Sequence, residues 1–281
     1  MLELPQVTLC AVDTRTPALA LRALQHSQRG IRYARTLLLT DADSAAGLAW
    51  PAAIEWGQIA RITTTAEYSD FMLTRLLDWV DTSHALVVQW DGFVLDGGRW
   101  ESAFLDVDYL GAPWRKAVAG HVVGNGGFSL RSRRLMLALR DPALAGRLHH
   151  PEDICIAQTL RPWLEEQQGI VFGSAAQAGR FAFEYETPAS SCFGFHGMAN
   201  LPRALGMDAF AALIDELPPA MTAGRDGFKT ARALLRQGRS DLALRLLERR
   251  ATVGELDARS RWLRWQCRLR QLVGRRPGGT A

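Results

Sequence analysis

The sequence predicts an α/β fold with a mixed, mainly parallel sheet flanked by helices, and three observations carry that expectation. Short apolar runs of strand length alternate with stretches of helical periodicity through the first two thirds of the chain. Three of these runs give way to polar residues that include an aspartate: Asp13, Asp41 and Asp91. Beyond Pro218-Pro219 the pattern changes to leucine- and arginine-rich helices alone. The boundaries read from this are a domain over 1–219 and a basic α-helical region over 220–281.

Val7–Val12 is a continuous apolar run bounded by Asp13, as a strand buried on both faces requires. Pro17 then opens a helix whose apolar face is Leu19, Leu21, Ala23 and Leu24. Thr36–Thr40 is the second strand, and Arg61–Thr64 is read as the third. Glu67–Val80 carries Phe71, Leu73, Leu76, Leu77 and Val80 at helical spacing. Ala85–Gln89 is the fourth strand and delivers Trp90-Asp91-Gly92 at its end. A helix over 100–105 follows, then the run Tyr109–Trp114. Ligands of parallel α/β sheets bind beyond the carboxyl ends of the strands, so Asp13, Asp41 and Asp91 are expected on one rim.

In the stretch Val122–Met136, Asn125-Gly126-Gly127 makes a turn before the strand pattern Phe128–Leu130. Ser132 is placed to cap the next helix. Pro151–Glu166 reads as a helix with Glu152 and Asp153 in its first turn, where carboxylates also suit the helix dipole. Phe195-His196-Gly197 ends a short strand. Three further helices, 228–237, 240–250 and 256–272, include a pattern resembling a tetratricopeptide-type hairpin: Ala231, Leu234, Leu235, Gly238, Ala243, Leu244, Leu246 and Leu247. These helices are expected to pack on the main domain or on a protein partner.

Bulk properties exclude several classes. At 48% hydrophobic and 22% charged the composition is that of a globular protein, and no run is long and apolar enough for a membrane helix. The N-terminus has no basic leader, which sets a cytoplasmic expectation. Cys10, Cys155, Cys192 and Cys267 lack metal-site spacing. Residues 220–281 hold 15 Arg/Lys against 5 Asp/Glu, a net of +10, while the rest holds 18 against 24, a net of −6. The basic residues there are read as solvated helix faces, and nucleic acid is not an expected partner.

Four landmarks stand in order: Gln89-Trp90-Asp91, the segment Gly124–Leu130, Pro151-Glu152-Asp153 and Phe195-His196. This order resembles the GT-A class of nucleotide-sugar glycosyltransferases, in particular the Fringe-like and β-1,3-galactosyltransferase-like group. Together the segments YSDFML, VVQWDGF, FLDVDYLGAPW, VGNGGFSLRSRRLM and PEDICIAQ resemble an uncharacterised glycosyltransferase-like domain family of bacteria and fungi. The resemblance implies a GT-A-like, Rossmann-related sheet and transfer of a sugar from a nucleotide-diphosphate donor to a hydroxyl acceptor, with inversion. It implies Asp153 as general base, with Glu152 as the alternative base or a donor-sugar contact. Asp13, Gln89, Asp91, Asn125, Gly126 and Gly127 would hold the donor. Trp114 would stack on the acceptor or else belong to the core. Asp91 and His196 would hold a divalent metal, Mn2+ or Mg2+. Gln89 stands where the family pattern has a carboxylate, so the nucleotide diphosphate would complete that site. Such an enzyme would suit polysaccharide biosynthesis. Two other readings are a non-catalytic carbohydrate-binding or scaffolding protein, which a decayed acidic triplet would favour, and a nucleotidyltransferase. The glycine-free loop after the first strand, VDTRTPALA, argues against the latter.

Overall fold

The computed structural model describes residues 1–118, 121–185 and 191–274, so 275–281 of the basic C-terminal region lie outside the described residues. The chain forms two compact units, Met1–His196 and Gly197–Ala281.

The first unit is built on a six-stranded sheet of order β3-β2-β1-β4-β8-β5. Its strands are β1 (Leu2–Val12), β2 (Ile31–Thr40), β3 (Glu55–Gln58), β4 (His84–Val87), β5 (Tyr109–Gly111) and β8 (Ser129–Ser132). β1 lies at the centre, parallel to both β2 and β4, with Cys10 opposite Leu37 on one side and Val87 on the other. That double cover is why Val7 and Leu9–Val12 are buried and why the run carries no alternation. β8 alone runs against its neighbours, pairing Val87 with Ser129 on β4 and Gly111 with Ser129 on β5. The sheet is thus mixed and mainly parallel, as the sequence predicts.

Helices α1 (Pro17–Ser27), α2 (Ala42–Ala45) and α3 (Thr65–Thr74) follow the first three strands. Asp41 caps α2 by accepting from the Ser44 amide, and Thr64 with Glu67 forms a capping box on α3. From α3 and the 3-10 turn Leu76–Trp79, Met72, Leu76 and Leu77 pack with Cys10, Leu37 and Val87 on one sheet face. The strand expected at 61–64 lies instead at Glu55–Gln58. Residues 61–64 form a loop held by reciprocal hydrogen bonds between the Thr14 hydroxyl and the Ile62 main chain. A four-residue apolar-polar pattern does not distinguish a strand from a pinned loop.

A two-stranded ribbon, β6 (Pro113–Val118) and β7 (His121–Val123), leads to the glycine turn. Ser132 caps α4 (Arg133–Ala138) through the Leu135 amide, as predicted. The single helix expected over 151–166 is broken. α5 (Glu152–Ile154) runs into a π turn over Cys155–Thr159, and α6 (Arg161–Gln168) restarts at Arg161-Pro162 because proline cannot continue the ladder. α7 (Ala175–Phe181) and the short pair β9 (Ala182–Phe183) and β10 (Gly194–Phe195) complete the unit. Phe128, Phe181 and Phe193 pack with ring centroids 5.0–5.9 Å apart, drawing together three segments distant in sequence.

The second unit contains α8 (Leu201–Leu205), α9 (Met207–Glu216), α10 (Pro219–Ala223), α11 (Arg225–Arg236), α12 (Ser240–Ala251) and α13 (Ala258–Gly274). The compact units divide at 196/197, whereas composition suggests 219/220. α12 accounts for the difference: Arg245 donates to the Ala211 carbonyl and pairs with Asp215, while Arg249 donates to the Leu217 carbonyl. These arginines clip neighbouring backbone, so the basic character is not merely a solvated face. α11 and α12 form the predicted hairpin, turning at Gly238 with φ +80°.

Candidate functional site

The carboxyl ends of β1 and β4 open onto a cleft of about 210 Å³ lined by residues including Asp13, Arg15, Thr65, Tyr68, Gln89 and Trp90. Because β8 is antiparallel, its first residue lies at the same end, and the turn Gly124–Phe128 arrives beside Gln89–Asp91. The resulting site is a closed ring of contacts. Gln89 Nε2 donates to the Tyr68 hydroxyl at 2.9 Å, and Gln89 Oε1 lies 3.2 Å from His196 Nε2. His196 covers Gly127, while Gly126 backs onto Glu152, Asp153 and Arg131. The Ser69 hydroxyl, next to Tyr68, donates to Glu152 Oε2 at 3.2 Å and closes the ring.

The glycine pair does not leave open space. A Cβ on Gly127 would collide with the His196 imidazole, and one on Gly126 would stand 2.6 Å from Glu152 Oε1. Protein side chains therefore occupy the space that the missing side chains of Gly126 and Gly127 leave. Asn125 is likewise buried: its amide donates to Glu184 Oε2 at 2.9 Å while its Oδ1 accepts from the Gly127 amide.

Glu152 is tied down rather than poised. Its Oε1 lies 3.3 Å from Arg131 Nη2, and the two side chains are 9% and 1% exposed. Arg131 also donates through Nε to Ser129 and lies over the Tyr109 ring at 5.7 Å. Asp153, one residue on, differs. One oxygen accepts from the Ile154 amide, and burial, reinforced by the neighbouring Glu152 charge, pushes its carboxyl above the usual carboxylate range. A half-buried carboxylate with raised proton affinity suits a general base.

His196 Nε2 also lies 3.6 Å from Asp91 Oδ1, and His196 Nδ1 lies 3.8 Å from Glu184 Oε1. The histidine is positioned by hydrogen bonds of its own strand: His196 N to the Phe183 carbonyl, and Phe195 N to the Phe93 carbonyl. Among the described residues no three His, Cys, Asp or Glu side chains converge as a metal site. The Asp91 carboxylate and the Gln89 amide carbonyl each lie against His196 Nε2. This donor set fits a divalent ion such as manganese that takes its remaining ligands from a bound diphosphate.

Asp13 lines the cleft, but its carboxylate already accepts from the Arg15 and Thr16 amides and the Thr16 hydroxyl. Asp41 caps α2. Trp114, half-buried, packs against the buried cluster around Tyr109 and Leu160, and its ring fills the space over Gly124. Tyr68, Ser69, Arg131 and Glu184 belong to the site but escape sequence reasoning. The one signal was a charged residue, Arg131, on the strand that completes the glycine stretch. A second hollow of about 620 Å³ lies at the other end of β4 and β8, beside His84 and Ser132. Its arginines Arg133, Arg134 and Arg140 donate to the carbonyls of Val80, Gln168 and Thr74, which makes them braces for loops.

Comparison with curated proteins finds no match. Among solved structures, the chain is similar to an active-site mutant of LgtC at 14% identity and a TM-score of 0.45, covering 80% of this chain and 99% of that one. It is also similar to the mannosyltransferase PcManGT from Pyrobaculum calidifontis in complex with GDP-Man and Mn2+, at 11% identity and a TM-score of 0.39, covering 96% and 86%. The chain belongs to the family described as protein of unknown function (DUF5672), whose sequence model matches residues 54–196, just over half its length and every residue of the ring from Tyr68 to His196.

Proposed function

We propose that the protein is a glycosyltransferase that moves a sugar from a nucleotide-diphosphate donor to a hydroxyl acceptor with inversion. The observation that carries this reading is the ring of contacts joining the strand-end cleft, through Tyr68, Gln89 and His196, to Asp153. The nucleoside would lie in the cleft beside Asp13 and Trp90, with the diphosphate directed toward Gln89, Asp91 and His196. A divalent ion held by Asp91 and His196 would neutralise charge on the departing diphosphate.

Asp153 Oδ would take the proton from the acceptor hydroxyl as its oxygen bonds to the anomeric carbon and the bond to the diphosphate breaks. Its raised proton affinity supports that role, whereas the Arg131 pairing makes Glu152 a positioning residue. Isothermal calorimetry against uridine, guanosine and thymidine diphosphate sugars, with and without Mn2+, tests the reading. Binding of one donor followed by transfer that Asp153→Asn abolishes supports it. Absence of binding to every donor overturns it in favour of a non-catalytic scaffold.

A further inference from the structure

We infer that α13 is an interfacial anchor that lays the protein on an anionic lipid surface. Trp262, Trp265, Leu269 and Leu272 are 58%, 51%, 44% and 69% exposed, an unusual concentration of large apolar side chains facing solvent on one helix. At 100° per residue they fall within an arc of about 80°. The opposite side of the helix, Ser260, Leu263 and Cys267, is buried in the unit, so the stripe is surplus to the packing of α13. The two tryptophan rings stack 4.8 Å apart with an 18° interplanar angle, forming a flat apolar ledge.

The charges beside the stripe select the occupant. α13 carries Arg259, Arg261, Arg264, Arg268 and Arg270 and no acidic residue. On the helical wheel Arg261, Arg264 and Arg268 flank one edge of the stripe, and Arg259 and Arg270 flank the other. An apolar stripe edged by arginines matches a headgroup layer: rings and leucines enter the acyl boundary while guanidinium groups meet lipid phosphates. A second copy of this chain would bring arginine rows against arginine rows, which opposes self-association. Single-stranded nucleic acid wants open ring faces for base stacking, and here the rings cover one another. Among the described residues no helix is long and apolar enough to cross a membrane, so α13 would lie in the interface.

The test uses the full chain with vesicles of phosphatidylcholine alone or mixed with phosphatidylglycerol, read by co-sedimentation. Sedimentation with the mixed vesicles but not the neutral ones, weakening as salt is raised, is expected. Trp262→Ser with Trp265→Ser is expected to lower partitioning about tenfold or more, since each buried ring is lost from the apolar boundary. Arg259→Gln with Arg268→Gln is expected to lower it roughly fivefold per charge. All four positions are exposed, and circular dichroism and thermal unfolding check that the variants stay folded. The proposal is overturned if the protein ignores anionic vesicles or if the tryptophan variant partitions like the parent. It is equally overturned if light scattering finds stripe-dependent self-association without lipid, or if a single-stranded oligonucleotide binds through the same tryptophans.

Discussion

Glu152 Oε1 and Arg131 Nη2 stand 3.3 Å apart beneath the glycine turn, in an ion pair withdrawn from solvent. Removing one partner of such a pair leaves an uncompensated buried charge, which is far costlier than losing the attraction alone. Arg131→Met is therefore expected to destabilise the protein by about 3–5 kcal/mol. Replacing both members, Arg131→Met with Glu152→Gln, should recover a large part of that loss. Urea unfolding of the single and double variants measures the coupling.

Asp153→Asn should separate activity from stability. The folded protein holds the Asp153 proton more tightly than the unfolded chain does, so this residue contributes stability below the ordinary carboxylate pKa and loses it as pH rises through its raised value. The asparagine variant is expected to melt higher than the parent at neutral pH while losing about 10²–10⁴-fold in transfer rate. In the parent, the acid limb of the rate profile should lie above the usual carboxylate range.

Gly127→Ala should destabilise the protein by about 1–3 kcal/mol and weaken donor and metal binding together, because the new methyl displaces His196 from Asp91 and Gln89. His196→Ala vacates the colliding ring. Gly127→Ala placed on that background should cost little in thermal stability, and equal costs in both backgrounds would refute the contact as the cause.

Gln89→Glu adds a carboxylate beside Asp91 and His196 while the Tyr68 hydroxyl reverses to donate. Mn2+ affinity is expected to rise about tenfold with the added ligand charge. Calorimetry with the metal alone reads this, and an unchanged affinity would place the metal elsewhere.

Local signals were legible wherever the physics is local. Pro17 opening α1 and Ser132 capping α4 act within one turn of backbone. The unbroken apolar run of β1 likewise announces a strand covered on both sides. The motifs also placed Asp91, Asp153 and His196 in one neighbourhood, although no pattern said what each touches. The true site of β3 was not legible, because it depends on pairing with β2, whereas the break of the 151–166 helix has a local sign in Pro162 that apolar spacing alone passes over.

By itself the sequence determined an α/β unit with polar strand ends on one rim, a basic helical region after it, and the residue types that a sugar transferase would need. Only the tertiary structure decided how the glycine turn is used. β8 enters antiparallel between β4 and β5, which brings Asn125–Gly127 to the rim. The Phe128–Phe181–Phe193 cluster then helps hold the strand that carries His196 over Gly127, and Arg131 pairs with Glu152 rather than with the neighbouring Asp153, the proposed base. The physical reason is range. Periodicity and caps are written in neighbouring residues, whereas strand order, burial of charge and the filling of a glycine's space are settled by groups 20 to 100 positions away, visible only once the chain has closed on itself.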